Sequence, residues 1–536
     1  MVRRVSVLAA GVWLGSAAAV AQSDLRPLLA SVPDTAVAVA ASADPVAALQ
    51  AWTALLAPVP EGLPADLVAR IGVGITALRI ALDGSTEAWL QQLAGGGLVL
   101  AVLPPLPGAQ WELLALTRPA DPAAAAAWCA RHADRVHCVT QGDRLVFGSS
   151  AAAVERVRAP SAPAPGRWAA AGFASVAGGD ATIDAMADLE ALRAWLGPRA
   201  PDLARLGGAA RFVFAPIVHA LAAAPTLHLQ LRADASRLRV ALRAEASLRA
   251  APFAALLATG AATARPELPA DGLVSLTLDR SLRALLAEPA RFLAADDAQA
   301  VQGFLSIADA LDGARSSFVA DLLGGLREPM TLQVLPPAAA DEAADTAPPT
   351  PIVLPEFVVS VALADEAAVD VLFRTARVLA TIVNAERAQR GEAPFLMRRL
   401  RDDSGHGLVA EPPPWRGPGS APVDRQLSPT LWIGGGRVAL ASTRHAAQAT
   451  LARPPGPASA GGDTLVLRGP AIAAAIAGSR SALELGRMLD EGEDRAEAQR
   501  FFAALIAVAE AIAELRATVQ LDAATTRLEL DLERRR

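Results

Sequence analysis

Residues 98–105 read LVLAVLPP and residues 330–337 read MTLQVLPP. Four further pairs follow the same order in both halves of the chain. Residues 33–49 (PDTAVAVAASADPVAAL) are echoed by 269–286 (PADGLVSLTLDRSLRALL), and 111–128 (WELLALTRPADPAAAAAW) by 356–373 (EFVVSVALADEAAVDVLF). Residues 141–150 (QGDRLVFGSS) answer 434–443 (GGGRVALAST), and 229–242 (LQLRADASRLRVAL) answer 519–532 (VQLDAATTRLELDL). Conserved order is what a duplication produces and chance does not, and a repeat constrains architecture before any local element is assigned. The expectation is two homologous α+β domains, each a mostly antiparallel sheet with helices packed on it.

The local pattern agrees. Apolar runs at 36–41, 98–103 and 112–117 read as strands, and Gly95-Gly96-Gly97 and the Pro/Gly turn near 104–108 punctuate them. Asp121 followed by Pro122 is an N-cap and first-turn pair for a helix ending near His132. Gly142-Asp143 separates strands at 136–140 and 144–147, and Ser149 or Ser150 caps a helix running to Arg158. A Pro-rich linker covers 159–166. Strands at 227–232 and 238–244 close the half with one apolar and one charged face. In the second half, residues 338–351 lack apolar period and read as a loop. Val369, Leu372, Phe373, Ala376, Leu379, Ala380 and Val383 keep helical spacing, giving a helix across 365–390. An insertion at 392–423 without counterpart in the first half adds a hairpin, 396–400 with 408–411. Residues 501–515 (FFAALIAVAEAIAEL) read as an amphipathic helix on a sheet, with Glu510 and Glu514 four apart.

At 536 residues the chain exceeds one core. The division expected is a signal peptide at 1–21, a first repeat at 22–248, a linker at 249–267 and a second repeat at 268–536. The leader rests on Arg3 and Arg4, the apolar run 5–20, and Ala19-Val20-Ala21 as a cleavage site after Ala21. Export to a bacterial periplasm or beyond follows. No later run reaches membrane-spanning length, so no transmembrane segment is expected in the mature chain. All 49 basic residues are Arg, Tyr is absent and Asn384 is the only Asn. These biases track codon composition. With a formal charge of −6, the arginines give no case for nucleic acid.

Cys129 and Cys138, the only cysteines, are expected to pair in an oxidising compartment. Zinc is the rival reading, since His132 and His137 lie between them. Adjacent His137 and Cys138 on a strand point apart, however, and the spacing matches no finger. In the insertion, Asp402, Asp403, Ser404 and His406 (RDDSGHG) offer acid–base chemistry, a divalent-ion site or a polar turn, and turn chemistry explains them more simply. Without lysine there is neither a P-loop nor Schiff-base chemistry. No G-x-S-x-G or H-E-x-x-H occurs, and no cofactor motif is present.

With its Pro-Asp or Pro-Ala-Asp turn, apolar strand and helix opening each unit, the chain resembles large exported bacterial proteins with two repeats, grouped as domains of unknown function. That resemblance implies an envelope location and carries no functional residue. The sequence therefore points to a non-enzymatic binding or structural module, with an envelope component or an apolar ligand as partner. A periplasmic carrier of apolar ligands such as lipids, and a hydrolase using the inserted loop, are the alternatives.

Overall fold

A computed structural model describes residues 25–56, 91–104, 111–133, 137–157, 167–170, 183–196, 213–214, 217–218, 221–234, 236–245, 269–293, 295–312, 325–337, 353–365, 367–413, 426–453, 462–521 and 525–535. The leader at 1–21, the linkers at 159–166 and 249–267, the loop at 338–351 and the end of the insertion at 414–423 lie outside them. The fold is α+β, with helices beside antiparallel strands in two compact units. One unit is Met1–Ala200, Leu221–Ala246 and Arg527–Arg536, and the other is Pro201–Ala220 with Ser247–Thr526.

The first unit contains β1 (Ala38–Ser42), β2 (Leu98–Leu103), β3 (Glu112–Thr117), β4 (His137–Gln141) and β5 (Arg144–Gly148). It continues with β6 (Ile183–Asp188), β7 (Thr226–Ala233) and β8 (Arg237–Ala244). Antiparallel pairing gives the order β4–β5–β3–β2–β1–β6–β7–β8. The chain's last strand, β18 (Thr526–Arg534), pairs with β8. There Arg534 N donates to Ser236 O at 2.7 Å, and Asp531 receives hydrogen bonds from Arg237 and Arg239.

β2 is apolar at every position because helices cover its sheet on both faces. Val99, Ala101 and Leu103 pack with Leu114, Leu116, Val146 and the helix α2 (Ala151–Glu155). Leu98 and Leu100 face the other way. On that opposite side α1 (Pro122–Arg131) buries Trp128 against Leu145 and Phe147. As expected, Asp121 caps α1 by accepting from Ala123 N and Ala124 N at 2.9 and 3.0 Å.

The second unit holds β9 (Val274–Leu278), β10 (Leu326–Leu335), β11 (Glu356–Leu363), the inserted hairpin β12 (Leu396–Asp402) and β13 (Gly405–Glu411), then β14 (Thr430–Gly434) and β15 (Arg437–Ala441). β16 (Asp463–Leu467) and β17 (Ile512–Leu521) complete the order β12–β13–β14–β15–β11–β10–β9–β16–β17. Gly435 and Gly436 turn β14 into β15 with φ of 57° and 71°, the two positive values a type I′ hairpin turn requires. The helix α3 (Ala367–Gln389) covers one face of the sheet, and α4 (Arg444–Ala452) covers the other. Alternation on β14 sends Leu431 and Ile433 toward α3, while Trp432, fully buried, goes toward α4.

The helix expected across 501–515 stops early. α5 (Arg495–Ala511) starts with a capping box between Asp494 and Glu497 and ends at Ala511, where Ile512 opens β17. Leu515 then lies opposite Leu467 of β16. The run 512–515 suits either state, and ladder bonds to β16 decide for the strand. Glu510 and Glu514 consequently share no helical face.

Candidate functional site

α3 is too long for the strands beneath it. Its 23 residues extend about 34 Å at 1.5 Å per residue, while the five-residue strands β14 and β15 reach only about 17 Å. The first turns of α3 bury Val369 and Phe373 against Val361, Leu408, Leu431, Ile433 and Val438. Further along, the same helical stripe continues as Ala376, Ala380 and Val383, and the contact opens. The alanines are too short to reach the sheet. A cavity of about 220 Å³ results, walled by Ala376, Leu379, Ala380 and Val383 on the helix. Phe395, just before β12, lines it with Met397, Leu408, Ala410, Leu431 and Leu440 of the strands. Thr430 is the one lining residue with a polar side chain, and its hydroxyl donates to Ser428 O. Leu440 is 59% exposed and Val383 43% exposed, although both sit on apolar faces of regular elements.

The two ends differ in chemistry. At the C-terminal end of α3, Phe395 N donates to Asn384 Oδ1 at 2.8 Å, and Asn384 Nδ2 donates to Phe395 O at 3.0 Å. Arg387 Nε donates to Ala393 O at 3.0 Å, and its guanidinium lies 4.5 Å from the Phe395 ring centre. These contacts clip the inserted hairpin to the helix and close that end. At the other end, the Phe373 ring meets the His406 ring at 5.6 Å and the Arg399 guanidinium at 5.2 Å. Along β12 the residues on the α3 side are Met397, Arg399 and Arg401, facing Ala410, Leu408 and His406 across the ladder. The row thus changes from apolar to cationic.

The structure separates the three residues of the inserted loop. Asp402 Oδ1 accepts from Ser404 N at 2.9 Å and Ser404 Oγ at 2.5 Å, which makes a polar turn. Its Oδ2 accepts from Arg444 at 2.9 Å and Gln448 at 2.6 Å, both on α4. The Ser404 hydroxyl, aided by Arg444, holds the Asp402 carboxyl below the usual carboxylate range. His406 lies on the opposite face of the hairpin, beside Phe373, and Asp403 is exposed in the turn. Strand alternation therefore places Asp402 and His406 where they share no reacting atom. Among the described residues no group of three or more His, Cys, Asp or Glu is arranged to hold a metal ion.

Cys129 and Cys138 form a disulfide with Cα atoms 5.9 Å apart, joining the end of α1 to β4. Both pack on the cluster of Trp128, Leu145 and Phe147. His132 stacks on Trp128 at 4.3 Å and bonds Trp128 O, so it belongs to this packing. The sulfurs are committed to each other.

Sequence reasoning missed two buried glutamates. Glu112 opens β3 and accepts from Ser150 Oγ at 2.6 Å while Arg156 pairs with it at 2.9 Å. Glu356 opens β11 and accepts from the Thr443 hydroxyl, with His445 Nδ1 at 2.8 Å. Ser150 and Thr443 are also the N-caps of α2 and α4. A charged residue at the head of an apolar run was the available signal. A buried ion pair, Arg280 with Asp463, was likewise unforeseen.

A second, polar hollow of about 320 Å³ lies on β7, β8 and β18, among Arg232, Arg239, Arg527, Glu529 and Asp531. Its charges largely answer each other: Asp531 takes Arg237 and Arg239, and Glu529 takes Arg527 at 2.5 Å. The apolar groove, which nothing on its walls fills, is the stronger candidate. No protein family, curated protein or solved structure matches the chain in any of three comparisons.

Proposed function

We propose that the protein is an exported, non-enzymatic binding module of two homologous repeats, and that its second repeat carries an apolar chain in the groove under α3. The carrying observation is the groove itself: a cavity of about 220 Å³ with apolar walls, between a helix and a hairpin of regular structure. Pockets that enclose drug-sized ligands run to about 300–1,000 Å³, so this one suits a single slender chain rather than a whole two-chain lipid.

The duplication reading is supported by strand order, β4–β5–β3–β2–β1–β6–β7 in one unit and β14–β15–β11–β10–β9–β16–β17 in the other. It is supported again by Glu112 with Ser150 and Glu356 with Thr443, the same polar clip at corresponding places. By register, Glu112 lies opposite Leu103 and Glu356 opposite Leu335, which moves the correspondence one residue from the sequence pairing of Trp111 with Glu356. What the second repeat adds is the hairpin β12–β13 and a helix of 23 residues where the first has 10. The groove lies between those additions and the shared strands β14 and β15, which supply Leu431 and Leu440. The disulfide fits an oxidising compartment outside the cytoplasm.

The test is displacement of the fluorescent probe 1-aminoanthracene by dodecanol, with wild type and Ala380→Phe compared. A phenyl ring at 380 fills the groove, so binding should fall by about tenfold or more. Unchanged binding in a folded Ala380→Phe protein would sink the proposal, as would a wild type that takes up neither probe nor alcohol.

A further inference from the structure

We infer that the ligand of this groove is a long-chain carboxylate whose head is held by Arg399 and Arg401; the inference rests on the apolar-chain reading above. Both arginines lie on the face of β12 that carries Met397 into the cavity wall, two and four residues beyond it. The Arg399 guanidinium is held 5.2 Å from Phe373, a ring of the apolar cluster under α3. Arg401 pairs across the ladder with His406, whose ring touches the same Phe373.

The contrast with neighbouring arginines carries the argument. Arg387 and Arg390 pair with Glu392, Arg398 pairs with Glu411, and Arg444 pairs with Asp402. Arg398, on the opposite face of the same strand, is neutralised. Among the described residues Arg399 and Arg401 form no ion pair, and both are exposed. A guanidinium presents a planar fork of donors that matches a carboxylate. The groove is therefore apolar along its length, closed at the Asn384 end, and cationic without a counter-ion at the Phe373 end. An amphiphile with one chain and one anionic head has that polarity.

Dimensions narrow the class further. From Phe395, the residue before β12, to Arg399 is four residues, about 14 Å at strand spacing, which suits a chain of medium length. A cavity of about 220 Å³ has no room for two chains. The occupant is accordingly a free fatty acid.

The experiment compares dodecanoate, dodecanol and dodecylphosphocholine by isothermal titration on the mature chain, wild type and Arg399→Met/Arg401→Met. Methionine keeps an apolar stem of similar length at exposed positions, so folding should survive, and unfolding curves check it. Dodecanoate should bind wild type about tenfold more tightly than either other ligand, and the double variant should erase that margin while leaving dodecanol affinity unchanged. Arg399→Lys/Arg401→Lys should restore part of it. Equal affinity for dodecanoate and dodecanol in wild type would overturn the head-group inference and leave the groove reading standing. Preference for dodecylphosphocholine would overturn the carboxylate in favour of a zwitterionic lysolipid. If no ligand binds, the apolar-chain reading itself fails. A margin that survives the methionine pair would mean that other residues hold the head.

Discussion

Glu356 is 3% exposed at the head of β11, yet its carboxylate has partners on both oxygens. The Thr443 hydroxyl donates to one oxygen and itself accepts from Ala446 N at 3.1 Å, so one contact caps α4 and satisfies a buried acid. His445 is 64% exposed and, as a solvated partner, adds little. Removing the carboxylate leaves Thr443, half-buried, without its acceptor. Glu356→Ala is expected to lower stability by about 1–3 kcal/mol, and Glu112→Ala by a similar amount through Ser150 and Arg156. The two networks share no residue, so the double variant should lose the sum of the single losses within about 0.5 kcal/mol. Urea unfolding of all four proteins measures this. A loss below the error of the measurement for both single variants would show that neither clip matters. This pairing was hard to read from the sequence, where each glutamate is simply a polar residue before an apolar run. The inserted loop misleads in the reverse direction. Asp402 and His406 are four apart and resemble a reactive cluster, but alternation turns one toward α4 and the other toward Phe373.

At the scale of elements, periodicity marked out most of what forms. The helix expected across 365–390 is Ala367–Gln389, and the inserted hairpin falls where its apolar runs placed it. Periodicity fails where two states share one pattern, as at Ile512, because only pairing with β16 distinguishes them. It also cannot show a groove. Ala376 and Ala380 fit a helical stripe as well as any packed alanine does, and the gap appears only when the sheet lies beneath them. At one end of the gap sits the Asn384 clip, the single asparagine of the chain bonded twice to the backbone of Phe395. Asn384→Ala removes both bonds and unlatches β12 from the end of α3. The expected cost is about 1–2 kcal/mol, with hydrogen exchange rising in β12 and in the last two turns of α3. Weaker dodecanoate binding should accompany it. Should exchange there stay at the wild-type rate, the clip is not what sets the groove's width.

For the molecule as a whole, the strand that ends the chain deserves a test separate from the groove. In the proposed duplication β18 is the closing strand of the second repeat, yet from Arg527 onward it belongs to the first unit, beside β8. Its outward row is Arg527, Glu529, Asp531 and Glu533, against Arg237, Arg239 and Arg243 on β8. The rows are complementary in charge, and hydrogen bonds from Arg237, aided by Arg239, hold the Asp531 carboxyl below the ordinary range. A chain ending at Thr525 strips β8 of its neighbour and leaves an open strand edge carrying three arginines. Open edges invite pairing with other chains, although their charge opposes it. The truncated protein should therefore show faster hydrogen exchange in β7 and β8, and self-association that increases with salt as the arginines are screened. Sedimentation at low and high salt measures the second effect. The groove draws on residues 376–440 alone, so dodecanoate affinity should stay within about twofold of the full chain. Protection lost in β8 with affinity kept would separate the scaffold formed by the closing strands from the binding proposed for the groove of α3, the inserted hairpin, β14 and β15. A groove that fails along with β18 would instead make ligand binding depend on the chain's last strand.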